Sequence, residues 1–192
     1  MSLLKALPLL VIAVLGGACG GDDRPARTDI AQVDAVIDAV ETQDRDRLRD
    51  LLQFTSVPCT DDSGAGGSPR CQGEAAGTNV EVMQTNQCEP QWLRREDAGA
   101  LLDDVVALDP DLYAAFETPE AFYVQGRYTV VFEGDDPRID ETGLKRYMAV
   151  GVEADNGLIT GVAFGCGIDE PVHFLLPHRD EGFDAWIIEP PD

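Results

Sequence analysis

The chain has 192 residues and a formal net charge of −22, because 36 aspartates and glutamates stand against 14 lysines and arginines. So acidic a surface argues against binding to nucleic-acid phosphates and against electrostatic docking on an anionic membrane. The length suits one domain with a hydrophobic core and is short for two.

The N-terminus has the layout of an export signal. The apolar stretch over residues 6–15 is too short to span a bilayer and ends in small residues. The sequence Leu15-Gly16-Gly17-Ala18-Cys19 resembles the lipobox of bacterial lipoproteins. The resemblance implies cleavage before Cys19, acylation of Cys19, and anchoring of the exported protein to a membrane through that lipid. The small residues before Cys19 also suit an ordinary signal peptidase, and a secreted protein is the alternative.

Three regions follow from this assignment. Residues 1–18 form a signal peptide, and residues 19–28 form a flexible stalk, because glycine, proline and charge dominate there. Residues 29–192 form a single domain. We expect this domain to lie outside the cytoplasm, in the cell envelope.

The other four cysteines are an even number, as expected for two disulfides in an exported domain; they are Cys59, Cys71, Cys88 and Cys166. We favour Cys59–Cys71 because it closes one local polar loop, and Cys88–Cys166 then follows by elimination. The pairings Cys59–Cys88 with Cys71–Cys166, and Cys59–Cys166 with Cys71–Cys88, remain open.

Helical periodicity predicts three helices. The first covers residues 29–41 and begins with a capping box of Asp29 and Gln32. The second begins at Asp44, and the third covers residues 95–108. Leu112, Tyr113 and Phe116 predict a short additional turn.

Residues 55–78 are rich in turn formers and predict a surface loop, which is a candidate interaction surface. Alternating patterns predict strands over residues 79–85, 121–133, 144–154 and 158–165, with an edge strand over 183–188. Asn156-Gly157 predicts a two-residue hairpin turn, which places Gly151 opposite Val162.

Helices followed by antiparallel strands predict an α+β fold, with two to three N-terminal helices packed on a curved, mainly antiparallel sheet. The pattern from Val33 and Ala35 through Asp44 to Leu48 and Leu51 resembles the entry of the NTF2-like superfamily. That resemblance implies a cone in which the helices close one face of the sheet. Such cones include both enzymes and binding modules.

No sequence pattern indicates a cofactor or metal site. His173 and His178 are five residues apart with Pro177 between them, a spacing that does not suit zinc. Asp61, Asp62 and Ser63 supply oxygen atoms but lack the calcium-binding spacing of an EF-hand.

The sequence therefore favours a membrane-tethered, disulfide-stabilised lipoprotein domain that binds a protein or a small ligand and is not a catalyst. The alternative is an NTF2-like enzyme that uses carboxylates, or a tyrosine such as Tyr128 or Tyr147, as acid and base in the cone. An ionisable cluster inside the cone would favour the enzyme, and an apolar filling would favour the binding module.

Overall fold

A computed structural model describes residues 28–62, 67–87, 89–120, 122, 124–135, 145–165, 176 and 183–191. Within these residues the chain forms three α-helices and an open, curved, mostly antiparallel sheet of eight strands. The predicted α+β class is confirmed. The predicted signal peptide and residues 19–27 of the stalk, including Cys19, lie outside the described residues.

The three helices lie where helical periodicity predicted them. They are α1 (Ala31–Glu41), α2 (Arg45–Leu51) and α3 (Ala98–Ala107), the last preceded by a single 3-10 turn, Arg95–Asp97. None of the helices described has the length and apolarity that crossing a membrane requires.

The predicted capping box at the start of α1 is wrong. The helix begins two residues later than expected, and its N-cap residue Ile30 has no side-chain oxygen to offer. Instead the Thr28 hydroxyl accepts a hydrogen bond from the Ile30 amide at 3.1 Å and donates one to Asp34 at 2.7 Å. Helix α2 has a side-chain cap, because Asp44 accepts a hydrogen bond from the Arg47 amide.

Eight strands make up the sheet: β1 (Thr55–Pro58), β2 (Asn79–Gln87), β3 (Glu89–Arg94), β4 (Asp111–Glu117), β5 (Tyr128–Asp135), β6 (Lys145–Val152), β7 (Ile159–Phe164) and β8 (Trp186–Ile188). They follow the order β1-β2-β7-β6-β5-β4-β8, with β3 also paired to β2. Every pairing between strands is antiparallel except β2 with β7.

The register of β2 explains how it takes three partners. Val82 pairs with both Thr55 of β1 and Arg94 of β3, so β1 and β3 lie on opposite edges of β2. The second half of β2 pairs with both β3 and β7. Strands β1 and β7 therefore share one edge of β2 end to end, and β3 is an outer strand of the sheet. Pro90 lies in β3, where a missing backbone donor is tolerated.

One face of the sheet, the helix face, packs against the three helices. From α1 it receives Val33, Val36, Ile37 and Val40, each at most 1% exposed. The sheet contributes alternate residues to the same layer: Met83, Val130, Phe132, Met148, Val150, Val162 and Phe164.

The opposite face, the outer face, is also covered. Alternate strand residues such as Val82, Val131, Ala149 and Ala163 are buried there. On strand β5, Thr129 and Val131 are both fully buried on this face.

Several predicted elements need correction. Residues 112–116 belong to strand β4 and form no extra helical turn. The long strand predicted over 121–133 begins only at Tyr128, because Gly126 adopts a φ of +134°, outside the strand conformation. Within residues 55–78, predicted as loop throughout, β1 forms the first part, and β3 had no predicted counterpart.

The hairpin between β6 and β7 forms, but its predicted register is wrong. Gly151 lies opposite Gly161, not Val162, and a β-bulge shifts the next pair to Val152 with Ile159. The connection is longer than a two-residue turn, since the Gly157 amide bonds the Glu153 carbonyl at 3.0 Å.

Candidate functional site

Aromatic side chains gather on the outer face over β4, β5 and β6. We call them the aromatic face: Tyr113, Phe116, Phe122, Tyr147, Phe183 and Trp186. Phe116 is fully buried at the centre, with edge-on contacts to Phe122, Phe183 and Trp186 at centroid distances of 5.4, 5.8 and 5.4 Å. The other five side chains remain partly exposed.

Small residues make room for this layer. Ala114, Ala149 and Ala163 lie beneath it on β4, β6 and β7. Gly151 also has no space for a side chain, because a Cβ there would collide with the backbone carbonyl of Gln125. The chain around Val124 and Gln125 therefore lies directly on the sheet.

Tyr113 and Tyr147 form a ring pair at one end of the aromatic face. Their centroids are 5.1 Å apart and their planes meet at 78°. A β-bulge between Leu112 and Ala114 places Tyr113 in the outer-face cluster together with its neighbour Ala114. Tyr147 lies directly opposite Glu133 in the β5–β6 register.

Burial and the neighbouring Glu133 carboxylate both raise the pKa of Tyr147 above its ordinary value of 10. Burial is the larger cause, because it disfavours the charged phenolate. The phenol is therefore protonated at neutral pH and can donate a hydrogen bond.

Charged residues surround this pair. Asp111 lies opposite Glu133 in the β4–β5 register, and Lys145 pairs with Asp135 at 2.8 Å. The hydrogen bond to Asp135 is the main cause that raises the pKa of Lys145, with smaller contributions from the charges of Glu133 and Asp111. Three carboxylates thus lie around one ammonium group.

A second feature is the disulfide-closed segment, residues 59–78, whose described parts, 59–62 and 67–78, pack on the outer face of β2 and β3. The predicted Cys59–Cys71 disulfide is confirmed. Cys59 is buried with Val80 and Val82, and the Trp92 indole donates a hydrogen bond to the Gly67 carbonyl at 2.5 Å.

An ion pair between buried Arg94 and half-buried Glu74 holds the same segment to β3. Arg94 is only 5% exposed and bonds both carboxylate oxygens of Glu74, at 2.6 and 3.2 Å. It also donates to the Arg70 carbonyl at 2.9 Å. The hydrogen bonds from Arg94 and from the Gln72 amide lower the pKa of Glu74 to about 2. The segment predicted as a surface loop is thus attached to β3 at the residues described.

The second predicted disulfide stays a prediction, because Cys88 and Cys166 lie outside the described residues. The last parallel pair of β2 and β7 is Gln87 with Phe164. Cys88 follows one residue later and Cys166 two residues later, so the chain lengths permit a bridge at this end of the sheet. Recovery of a Cys88–Cys166 peptide in non-reducing mapping is the expected result.

The two tyrosines considered as acid and base do not share a site. Tyr128 packs on the helix face and Tyr147 on the outer face. His173, His178 and Ser63 lie outside the described residues. Among the residues that are described, no three histidine, cysteine or acidic side chains come together as metal ligands.

The Tyr113–Tyr147 pair and the Arg94–Glu74 pair were not predicted. The alternation of Trp92 and Arg94 on either side of Leu93 is the sequence signal that points both side chains to one face of β3. No family model matches this chain, and searches of curated proteins and of solved structures found no similar protein.

Proposed function

We propose that this chain is a membrane-tethered extracytoplasmic lipoprotein domain that binds a partner through the aromatic face and performs no catalysis. The lipobox-like sequence ending in Cys19 supports the tether. The Cys59–Cys71 disulfide supports an oxidising compartment, since such bonds form and persist mainly outside the cytoplasm.

The binding proposal rests on a difference between the two faces of the sheet: the helix face is filled, and the outer face leaves aromatic side chains partly exposed. Between helices and sheet, one continuous cluster of buried apolar side chains comes from α1, α2, α3 and the strands. On the outer face, five aromatic side chains are left partly exposed beside one another. Tyrosine and tryptophan with one accessible side are enriched in protein interfaces, where they supply contact area at low entropic cost.

The NTF2-like cone is the finer fold that we propose for this domain. Three helices on one face of a curved, mostly antiparallel sheet support it, two of them ahead of the first strand. Within the cone proposal, the apolar filling of the helix face favours a binding module over the enzyme alternative. The separation of Tyr128 from Tyr147 by the sheet favours it too, because the two phenols cannot act on one substrate.

Site-specific photo-crosslinking in the native host tests the proposal. Benzoylphenylalanine would replace Tyr113 or Phe183 on the aromatic face. In matched control chains it would replace Ala31 or Ala107, which are exposed on α1 and α3. We expect a discrete crosslinked product from the aromatic-face positions alone. Products of equal yield from the helix positions, or none from any position, would contradict the proposal.

A further inference from the structure

The Tyr113–Tyr147 pair offers electron-rich rings next to a carboxylate. The rings are nearly perpendicular, partly exposed, and 5.1 Å apart. Glu133 is half-buried and lies opposite Tyr147. An aromatic ring attracts a cation positioned over its face within about 6 Å, and a carboxylate at the ring edge adds a directional acceptor.

The charges around the Tyr113–Tyr147 pair favour a positively charged ligand. Asp111, Glu133 and Asp135 lie around the single ammonium of Lys145. The whole chain carries −22. An anionic ligand would be repelled, and a purely apolar ligand would remove the Glu133 carboxylate from water while supplying no donor or charge in exchange, which is costly. A cation brings charged donors to the carboxylate, in addition to the Tyr147 hydroxyl, and contacts the rings.

This chain already uses the same arrangement within its own fold. The Arg95 guanidinium lies over the Phe54 ring at 4.4 Å from the centroid, and its Nε donates to Glu81 at 2.6 Å. A ring and a carboxylate here hold one guanidinium between them. A planar guanidinium suits both contacts better than an ammonium group, because it stacks on rings and bonds carboxylates in a fork.

We propose that Tyr113, Tyr147 and Glu133 form a binding site for an arginine side chain of a protein partner. This inference rests on the proposed function and names the chemistry of the partner. The arginine stacks against the tyrosine rings while its guanidinium donates hydrogen bonds to Glu133. Asp111 adds attraction from the neighbouring strand and steers the basic partner toward this end of the aromatic face.

Isothermal titration of the purified full-length protein with an acetylated tetra-arginine amide tests the site, with tetra-citrulline as the uncharged probe of similar shape. The Glu133→Gln variant is compared with Glu117→Gln, a control that removes the same charge from β4. We expect Glu133→Gln to weaken tetra-arginine binding at least about fivefold, and Glu117→Gln to change it less than about twofold.

A ring variant and a conservative variant complete the test. Tyr113→Leu with Tyr147→Leu removes both rings and is expected to weaken binding at least as much as Glu133→Gln, whereas Tyr147→Phe keeps the ring and most of the affinity. Equal affinity losses in Glu133→Gln and Glu117→Gln, or equal binding of tetra-citrulline, would overturn the inference. So would unchanged affinity in a Glu133→Gln protein with a wild-type melting temperature.

The two proposals fail separately. Crosslinks at Tyr113 or Phe183 together with tetra-arginine binding that does not depend on Glu133 would overturn the arginine site and leave the aromatic face as the binding surface. Absence of crosslinks at every position would overturn the proposed function itself.

Discussion

Replacing Phe116 with alanine tests whether the aromatic face belongs to the structural core of the domain. Phe116 is fully buried on β4 and contacts the rings of Phe122, Phe183 and Trp186. Truncating a buried phenylalanine to alanine costs about 3–5 kcal/mol, because the transfer energy is lost and a cavity remains. A domain of this size has about 5–15 kcal/mol of stability in total.

The expected loss corresponds to a fall in melting temperature of about 6–20 °C, at roughly 2–4 °C per kcal/mol for a domain of this length. Urea unfolding and calorimetry of the oxidised protein measure it. Amide hydrogen exchange gives a local readout, since Trp186 pairs with Phe116 in the β4–β8 register and β8 should lose protection first. Phe122→Ala, at a partly exposed position, is the matched control and should cost less. A loss below about 1 kcal/mol for Phe116→Ala would refute the reasoning.

Two further predictions concern packing and pH. Gly134→Ala should destabilise the domain by about 1–3 kcal/mol, because its Cβ would collide with the Leu108 carbonyl. Gly99→Ala in α3 meets only Arg45 at 3.7 Å and should be neutral or stabilising. Denaturant titration measures the change in the free energy of unfolding for both variants. The pKa of Glu74 is lowered to about 2, so its contribution to stability is complete above about pH 4.5 and is lost as the pH falls toward 2. The unfolding midpoints of wild type and Glu74→Gln should therefore differ at pH 7 and converge at pH 2, and a difference that grows on acidification would contradict this.

The helices were predictable because each carries its own periodic apolar stripe. In α1, Val33, Val36, Ile37 and Val40 recur at helical spacing, and all four are buried together. The capping residue was not predictable from the pattern alone. Asp29 and Thr28 both carry a side-chain oxygen that could accept a hydrogen bond at the start of the helix, and only tertiary geometry selects between them.

The sheet was less predictable because its pairing is not local. β1 and β3 are short and largely exposed, so they carry no strong alternation. Leu112, Tyr113 and Phe116 are one and three residues apart, a spacing that suggests a helical turn. In the structure they belong to strand β4, where the β-bulge brings Tyr113 and Phe116 to the same face.

The candidate site was only partly predictable from the sequence, for the same reason. The disulfide-closed segment follows from cysteine spacing and loop composition, both of which are local. The Tyr113–Tyr147 contact requires β4, β5 and β6 to lie side by side, and no local pattern fixes that order. The parallel pairing of β2 with β7, which brings Gln87 beside Phe164, is equally non-local.

The intact mass of the protein extracted from host membranes without reducing agent tests most directly whether this is an exported, oxidised and lipid-anchored domain. We predict a chain that begins at Cys19, carries added lipid mass, and is four hydrogens lighter than its reduced form because two disulfides have formed. A chain that retains residues 1–18, or one that lacks lipid and keeps all its cysteines reduced, would contradict the account.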